Sequence, residues 1–395
     1  MTPQSVIRKY YGFQFFFSLL LWLPIFYEYQ KRTGLNDAQI FNIQSIYYLV
    51  FCLFEIPTGF LADRFGYLKC MQAGALTLVV SNLLPIFSQN YDGFLIHFLL
   101  IALARSFISG ASSAYLYEFL SSLDMSREYK KIEGRARSYS LVGKVVCWAG
   151  IGLLMKWHLT LPYWLTAFSA LVSLGFACVL PRLRVQSPPK KENQWVHITR
   201  VLNESPFLLL VMFQGIGIFV LARICQVSLF QPILASKSFD LGSYGAIMSL
   251  MTIFEAIGSA KPQWLQKGQT DLRSVFWMTL LMAGSLIFIP SAGKWGTLVC
   301  LCLFSIATGV SFPIQRQLLN HAIRESRYRA TLMSLESLID RGVNAVVAGM
   351  IGGYLSQGKL SQFLVLSGSV SILFIFILYL VLKLMIGEPK YEKTV

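Results

Sequence analysis

The chain carries little charge and few of the side chains that perform covalent chemistry. Charged residues make up 13% of its 395 positions, against 55% apolar and 14% aromatic, too lipophilic a balance for two or three soluble domains. Its four histidines, His97, His158, His197 and His321, are scattered. Of the seven cysteines, six (Cys52, Cys147, Cys178, Cys225, Cys300 and Cys302) fall inside apolar stretches and Cys70 lies at the edge of one. No spacing suits zinc, and no pair stands in an outer loop where a disulfide would form. A nucleotide-binding loop and a Ser/His/Asp arrangement are also absent. Catalysis, ATP-driven work, a metal centre and a cofactor therefore have no anchor, and the chain is read as a non-enzyme without cofactors.

Long apolar runs are what it has. A helix needs about 20 apolar residues to cross a hydrocarbon core of about 30 Å, and twelve stretches qualify: 10–30, 39–61, 71–88, 94–121, 136–157, 161–181, 206–232, 241–264, 274–290, 296–321, 330–355 and 361–386. The first follows Arg8-Lys9 but is long, aromatic and without a small-residue cleavage site, so it is read as retained. One Pro/basic segment, with Pro181-Arg182-Leu183-Arg184 and Pro188-Pro189-Lys190-Lys191, stands out as a linker. The expected organisation is an N-terminal six-helix bundle over 1–181, a cytoplasmic linker over 182–205 and a C-terminal six-helix bundle over 206–395. The net charge of +15 would point to nucleic acid in a soluble protein, but its placement argues otherwise. With an inward N-terminus, 23 of the 34 basic residues fall on the inner side and six on the outer, while Arg105, Lys144, Arg223, Arg316 and Arg341 lie within spans. The positive-inside rule then puts both termini in the cytoplasm, and nucleic acid is not expected as a partner.

Gly59-Phe60-Leu61-Ala62-Asp63-Arg64-Phe65-Gly66 joins the second apolar run to the third. It resembles the Gly-x-Leu-Ala-Asp-Arg-x-Gly-Arg-Lys signature of the major facilitator superfamily at Gly59, Leu61, Ala62, Asp63, Arg64 and Gly66; Tyr67 and Leu68 replace the two basic positions. The resemblance implies an all-α membrane protein of twelve transmembrane helices in two pseudo-symmetric six-helix bundles, multidrug/proton-antiporter-like, monomeric, multi-pass in the plasma (inner) membrane. It further implies that Asp63 and Arg64 support the conformational cycle, with Gly59 allowing close helix packing and Gly66 a tight turn. An internal repeat agrees with duplication: at an offset near 200, Phe54-Glu55 falls on Phe254-Glu255, Ser109-Gly110 on Thr308-Gly309, and Arg135-Ala136 on Arg329-Ala330. The fifth span has Gly143, Gly150 and Gly152 but no Gly-Pro pair, so the drug/proton antiporter motif of that span is missing.

Ionisable residues within spans are costly and need partners or an aqueous cavity. Besides the five bases, the spans hold Glu28, Glu55, Glu118, Glu255, Glu336 and Asp340. Two readings stay open for each: an internal salt bridge, or a proton or solute site. Glu336 and Asp340, four apart, share one helix face, where two carboxylates resist ionising together; Arg316 lies at a depth that can neutralise one. Arg105, eleven residues into the fourth span, resembles the arginine that tunes a proton-carrying acid in proton-linked members of the superfamily. Glu28, among belt aromatics, is set opposite Arg223 as its complementary charge. The candidate solute-binding set is Tyr27, Glu28, Arg105, Tyr115, Tyr117, Arg223 and Arg316; the candidate proton carriers are Glu28, Glu118, Glu336 and Asp340. Two bridges are expected from the repeat, Glu55 with Arg341 and Glu255 with Lys144, the alternative being Lys144 with Glu118 and Arg341 with Asp340 or Glu336. The function expected is secondary transport by alternating access of a small, partly apolar, anionic or zwitterionic solute, proton-coupled and outward. Uptake, facilitated diffusion of an organic anion, or a non-transporting solute sensor are the alternatives. The expected partners are that solute, protons and the lipid bilayer.

Overall fold

The computed structural model describes residues 2–183, 205–260, 270–323 and 329–386; within them, the side chains of 56, 63, 130, 329–331, 333, 334 and 386 are outside the description. The expected linker over 182–205 lies almost wholly outside the described residues. Contacts divide the chain into two compact units, Met1–Pro189 with Asp240–Ser249, and Lys190–Phe239 with Leu250–Val395.

Among the described residues all regular structure is helical, as long apolar runs require: in hydrocarbon, backbone N–H and C=O groups must pair within their own segment. The first unit holds α1 (Pro3–Ser18), α2 (Phe26–Arg32), α3 (Asp37–Phe65), α4 (Tyr67–Phe87), α5 (Tyr91–Ser109), α6 (Ala111–Ser121), α7 (Tyr129–Ala149), α8 (Ile151–Trp157) and α9 (Leu161–Val179). The second holds α10 (Pro206–Arg223), α11 (Phe230–Ser236), most of α12 (Tyr244–Ala260), α13 (Asp271–Phe288), α14 (Lys294–Ala322), α15 (Arg329–Ser356) and α16 (Leu360–Ile386). Ten helices among the described residues are long and apolar enough to cross a membrane, or eleven if α7 and α8, bent by 41°, form one span. This differs from the expected twelve. The stretch 330–355 does form the 28-residue helix α15, but Glu336, Asp340 and Arg341 lower its apolarity and it is not among the ten.

Several spans expected to be continuous are broken, and the sequence supplies the cause. Pro24 has no N–H to give the carbonyl four residues back; α1 ends at Ser18 and a short 3-10 turn, Leu23–Ile25, precedes α2. The Leu20 carbonyl accepts the Leu23 N–H at 3.2 Å and the indole N–H of Trp148 at 3.0 Å, and the Leu21 N–H donates to Thr166 Oγ1 at 3.1 Å. The first span of the second unit is interrupted likewise: the π-helical segment Ile224–Leu229 separates α10 from α11, three to eight residues before Pro232. Single π turns inside helices are frequent at functional positions.

Elsewhere the local signals act as expected. Asn36 and Gln39 close a reciprocal cap at the start of α3. Gly66 ends α3 at φ 93°, with its N–H on the Ala62 carbonyl, a conformation that only glycine adopts without strain. Gly59 is placed differently from expectation: no described atom lies within 4 Å of where its Cβ would stand, so it does not mediate close helix packing among the described residues. That role belongs to Gly152, whose Cβ would stand 2.2 Å from the Leu241 carbonyl.

The first unit is centred on Tyr10, Phe13, Met71, Ala75, Tyr115 and Leu120. A second, aromatic cluster gathers the rings of Trp22, His97, Phe98 and Tyr163. His97 is fully buried there, its Nδ1 2.6 Å from the Ser81 carbonyl. In the second unit α10 packs against α14, α15 and α16.

Candidate functional site

The second unit assembles charges from three helices that are far apart in sequence. Glu336 and Asp340 lie one turn apart on α15, Arg316 is on α14, and Arg223 ends α10. Arg316 Nη1 donates to Glu336 Oε2 at 2.7 Å, and Arg223 Nη2 donates to Asp340 Oδ2 at 2.7 Å. Both pairs share one asymmetry. The Glu336 side chain is 0% exposed and that of Asp340 4%, whereas Arg316 and Arg223 remain 37% and 32% exposed. The acids are sealed and the cations face out.

Neighbours fix both pairs. Asn344, one turn beyond Asp340, donates to Asp340 Oδ1 at 2.9 Å and to its carbonyl at 2.8 Å. The Arg316 guanidinium lies 4.9 Å above the Phe219 ring, which stacks on Phe312, a placement that favours a cation. Gln315 Nε2 donates to the Val211 carbonyl at 2.7 Å, and Glu336 Oε1 has no hydrogen-bond partner among the described residues. Gly215 makes room for this carboxylate, since a Cβ there would stand 2.3 Å from Glu336 Oε1. In the adjoining π segment, Gln226 Nε2 donates to Glu255 Oε2 at 3.1 Å.

In the first unit Arg105 is exposed on α5, donating to the Tyr47 hydroxyl at 3.1 Å and lying 5.6 Å above the Phe51 ring. No carboxylate among the described residues forms an ion pair with it. Ser109 donates to Glu55 Oε1 at 3.3 Å, while Ser112 is buried and donates to the Ile108 carbonyl.

Glu28 pairs with Arg32 at 3.1 Å within the first unit, and Arg223 pairs with Asp340 within the second. Tyr27 is buried and its hydroxyl donates to Asp37 Oδ1 at 2.5 Å. Tyr115, expected to line a solute site, is 1% exposed inside the core and donates to the Pro181 carbonyl. Tyr117 is exposed, edge-on to Tyr129. Glu118 lines a small pocket with Lys69, Arg182 and Tyr115. Arg64 lies 5.5 Å from the Phe65 ring centroid, and the Asp63 side chain is outside the described set. Lys144 and Arg341 are half-buried on α7 and α15.

The sequence reading missed Tyr47, Asn344 and Gln226, the neutral residues that hold the charges. Asn344 had a legible signal, four positions after Asp340 on one helix face. Glu133 accepts a hydrogen bond from the Tyr10 hydroxyl at 2.8 Å, which ties α7 to α1.

Comparison with known proteins agrees with this architecture. Several solved structures share the fold. A nucleoside transporter, NupG, has a TM-score of 0.74 at 14% identity, covering 97% of this chain and 99% of that chain. A peptide transporter, POT, in complex with sulfate has a TM-score of 0.77 at 14% identity, covering 99% and 96%. A POT family transporter in complex with a thioalcohol conjugated peptide has a TM-score of 0.74 at 13% identity, covering 98% and 97%. No curated protein matches. The family model for the Major Facilitator Superfamily matches residues 10–339, and the chain, a multi-pass membrane protein of transporter fold, belongs to that superfamily.

Proposed function

We propose that this protein is a proton-coupled secondary transporter of a small anionic or zwitterionic organic solute, working by alternating access in the plasma (inner) membrane. The observation that carries the reading is the shared asymmetry of Arg316–Glu336 and Arg223–Asp340: buried acids behind half-exposed arginines. Arg105, exposed and with no described carboxylate partner, adds a third accessible cation.

Coupling follows from the same geometry. An anionic solute that draws an arginine away leaves a carboxylate without its countercharge in a sealed site, where an isolated charge is costly. Taking a proton removes that cost, so solute and proton binding support one another. Glu336 and Asp340 are therefore assigned as proton carriers, and Arg316, Arg223 and Arg105 as solute ligands. Glu28 and Glu118 are secondary candidates, and Asp63, Arg64, Gly66, Glu55, Glu255, Lys144 and Arg341 are assigned to the conformational cycle.

Two directions are compatible with the family. Export rests on the likeness of the 59–66 hairpin to multidrug-type members. Mutual support between proton and anion favours inward co-transport instead, because a proton gradient then drives both the same way. Counterflow in proteoliposomes tests the solute class: pooled organic anions, cations and neutral solutes are each offered against preloaded label. Exchange with anions or zwitterions that weakens in Arg316→Gln supports the assignment; exchange confined to cations removes it.

A further inference from the structure

The second unit contains a cavity of about 420 Å³ that the charged site does not use. It lies among α10, α15 and α16, with Thr279 of α13 at one wall, and every lining residue belongs to that unit. No lining residue is charged. Its volume falls within the range of about 300–1,000 Å³ typical of small-ligand sites, which are mostly apolar with a few placed polar groups.

One such group is present. Gln214 lines the cavity, is 1% exposed, and neither its Oε1 nor its Nε2 has a hydrogen-bond partner among the described residues. A buried primary amide with donor and acceptor both unmatched is disfavoured, and in a packed helix it is retained where something else satisfies it. The cavity's edge is also informative. Val343, Val370 and Phe374 line it and are 38%, 56% and 39% exposed, and Val346 and Met350 on the same helix as Val343 are 66% and 46% exposed. In a membrane-spanning bundle, such apolar exposure is expected where helices meet lipid. The opening is thus lined by groups that admit an apolar molecule and repel a hydrated ion.

We infer that this cavity is a binding site for an uncharged lipophilic small molecule carrying one hydrogen-bonding head, such as a hydroxyl, which enters from the bilayer and is anchored by Gln214. The absence of a lining cation or acid argues against an ionised ligand, and the paired vacancies on one amide argue for a head that donates and accepts. The site is distinct from the one assigned to the transported solute. It is adjacent to it, because Gly215, the next residue, abuts Glu336, so an occupant of the cavity contacts the same turn of α10 that packs against the Arg316–Glu336 pair.

The test uses the full-length protein in lipid nanodiscs with a diazirine-bearing analogue of 1-dodecanol, cross-linked by light and mapped by mass spectrometry. Saturable labelling within 213–224 or 339–375 is expected, with 1-dodecanol competing about tenfold better than dodecane, as one hydrogen bond of about 1.4 kcal/mol provides. Gln214→Leu keeps the volume but should erase the preference for the alcohol. Val347→Trp fills the cavity and should reduce labelling by both probes; Val370→Trp at the mouth serves if the first variant does not fold. Labelling that does not saturate, that survives both tryptophans, or that keeps its alcohol preference in Gln214→Leu overturns the inference.

Discussion

Arg316 and Glu336 form a pair in which removing one member should cost far more than removing the other. Glu336 is wholly sealed, and of its two oxygens only Oε2 has a described partner, Arg316 at 2.7 Å. Breaking a buried pair by deleting one ion costs about 3–5 kcal/mol, because the remaining charge stays uncompensated. Arg316 is 37% exposed, so water reaches part of the vacated space and the lower end, about 3 kcal/mol, applies to Arg316→Met. The converse change, Glu336→Gln, leaves a guanidinium that is already half in solvent and rests on Phe219; its loss should be below about 1 kcal/mol. For a unit of this size about 1 kcal/mol moves the midpoint by roughly 2–4 °C, so thermal unfolding in detergent should show Arg316→Met lower by about 6–12 °C, with Glu336→Gln within about 4 °C of the parent. Arg316→Met combined with Glu336→Leu removes both charges and should recover most of the loss, since apolar replacement of a buried pair is often neutral. Equal losses in the two single variants, or a double variant as unstable as Arg316→Met, would refute the argument that the acid is sealed and the base is not.

Three further changes probe the scaffold. Gly66→Ala places a side chain at φ 93° and should destabilise by about 1–3 kcal/mol, seen as a lower unfolding midpoint. Thr166→Val strands the Leu21 N–H in the break of the first span and should cost about 1–3 kcal/mol, whereas Thr166→Ser should be close to parental in the same assay. Lys156→Ala removes a bridge to Asp240 whose side chains are 42% and 62% exposed; its midpoint should not move measurably, because exposed pairs contribute about 0–1 kcal/mol.

The helices were legible because apolar runs of this length have few alternatives, and the turn at Gly66 between α3 and α4 was legible because charged and glycine residues between two spans have few uses. The breaks were not. Pro24 and Pro232 announce a disturbance, but whether a span ends or bends depends on partners such as Trp148 and Thr166, over a hundred residues away. In the site, spacing alone placed Glu336 beside Asp340, and depth placed Arg316 near them. The bond of Arg223 to Asp340 was not legible, because position along a helix axis says nothing of rotation about it. The burial of Tyr115 was illegible for a related reason: a tyrosine in a span can line a cavity or close a core, and only packing tells which. The unmatched amide of Gln214 lies wholly beyond sequence reasoning, since any span can contain a glutamine that is satisfied.

The central claim is that Glu336 and Asp340 carry the proton that drives solute movement. Its most direct test measures proton and solute flux together in proteoliposomes under an imposed pH gradient, for the parent and for Glu336→Gln and Asp340→Asn. The account predicts gradient-driven accumulation in the parent, and in at least one variant its loss with solute exchange retained, because exchange needs no net proton movement. Full accumulation in both variants would contradict it.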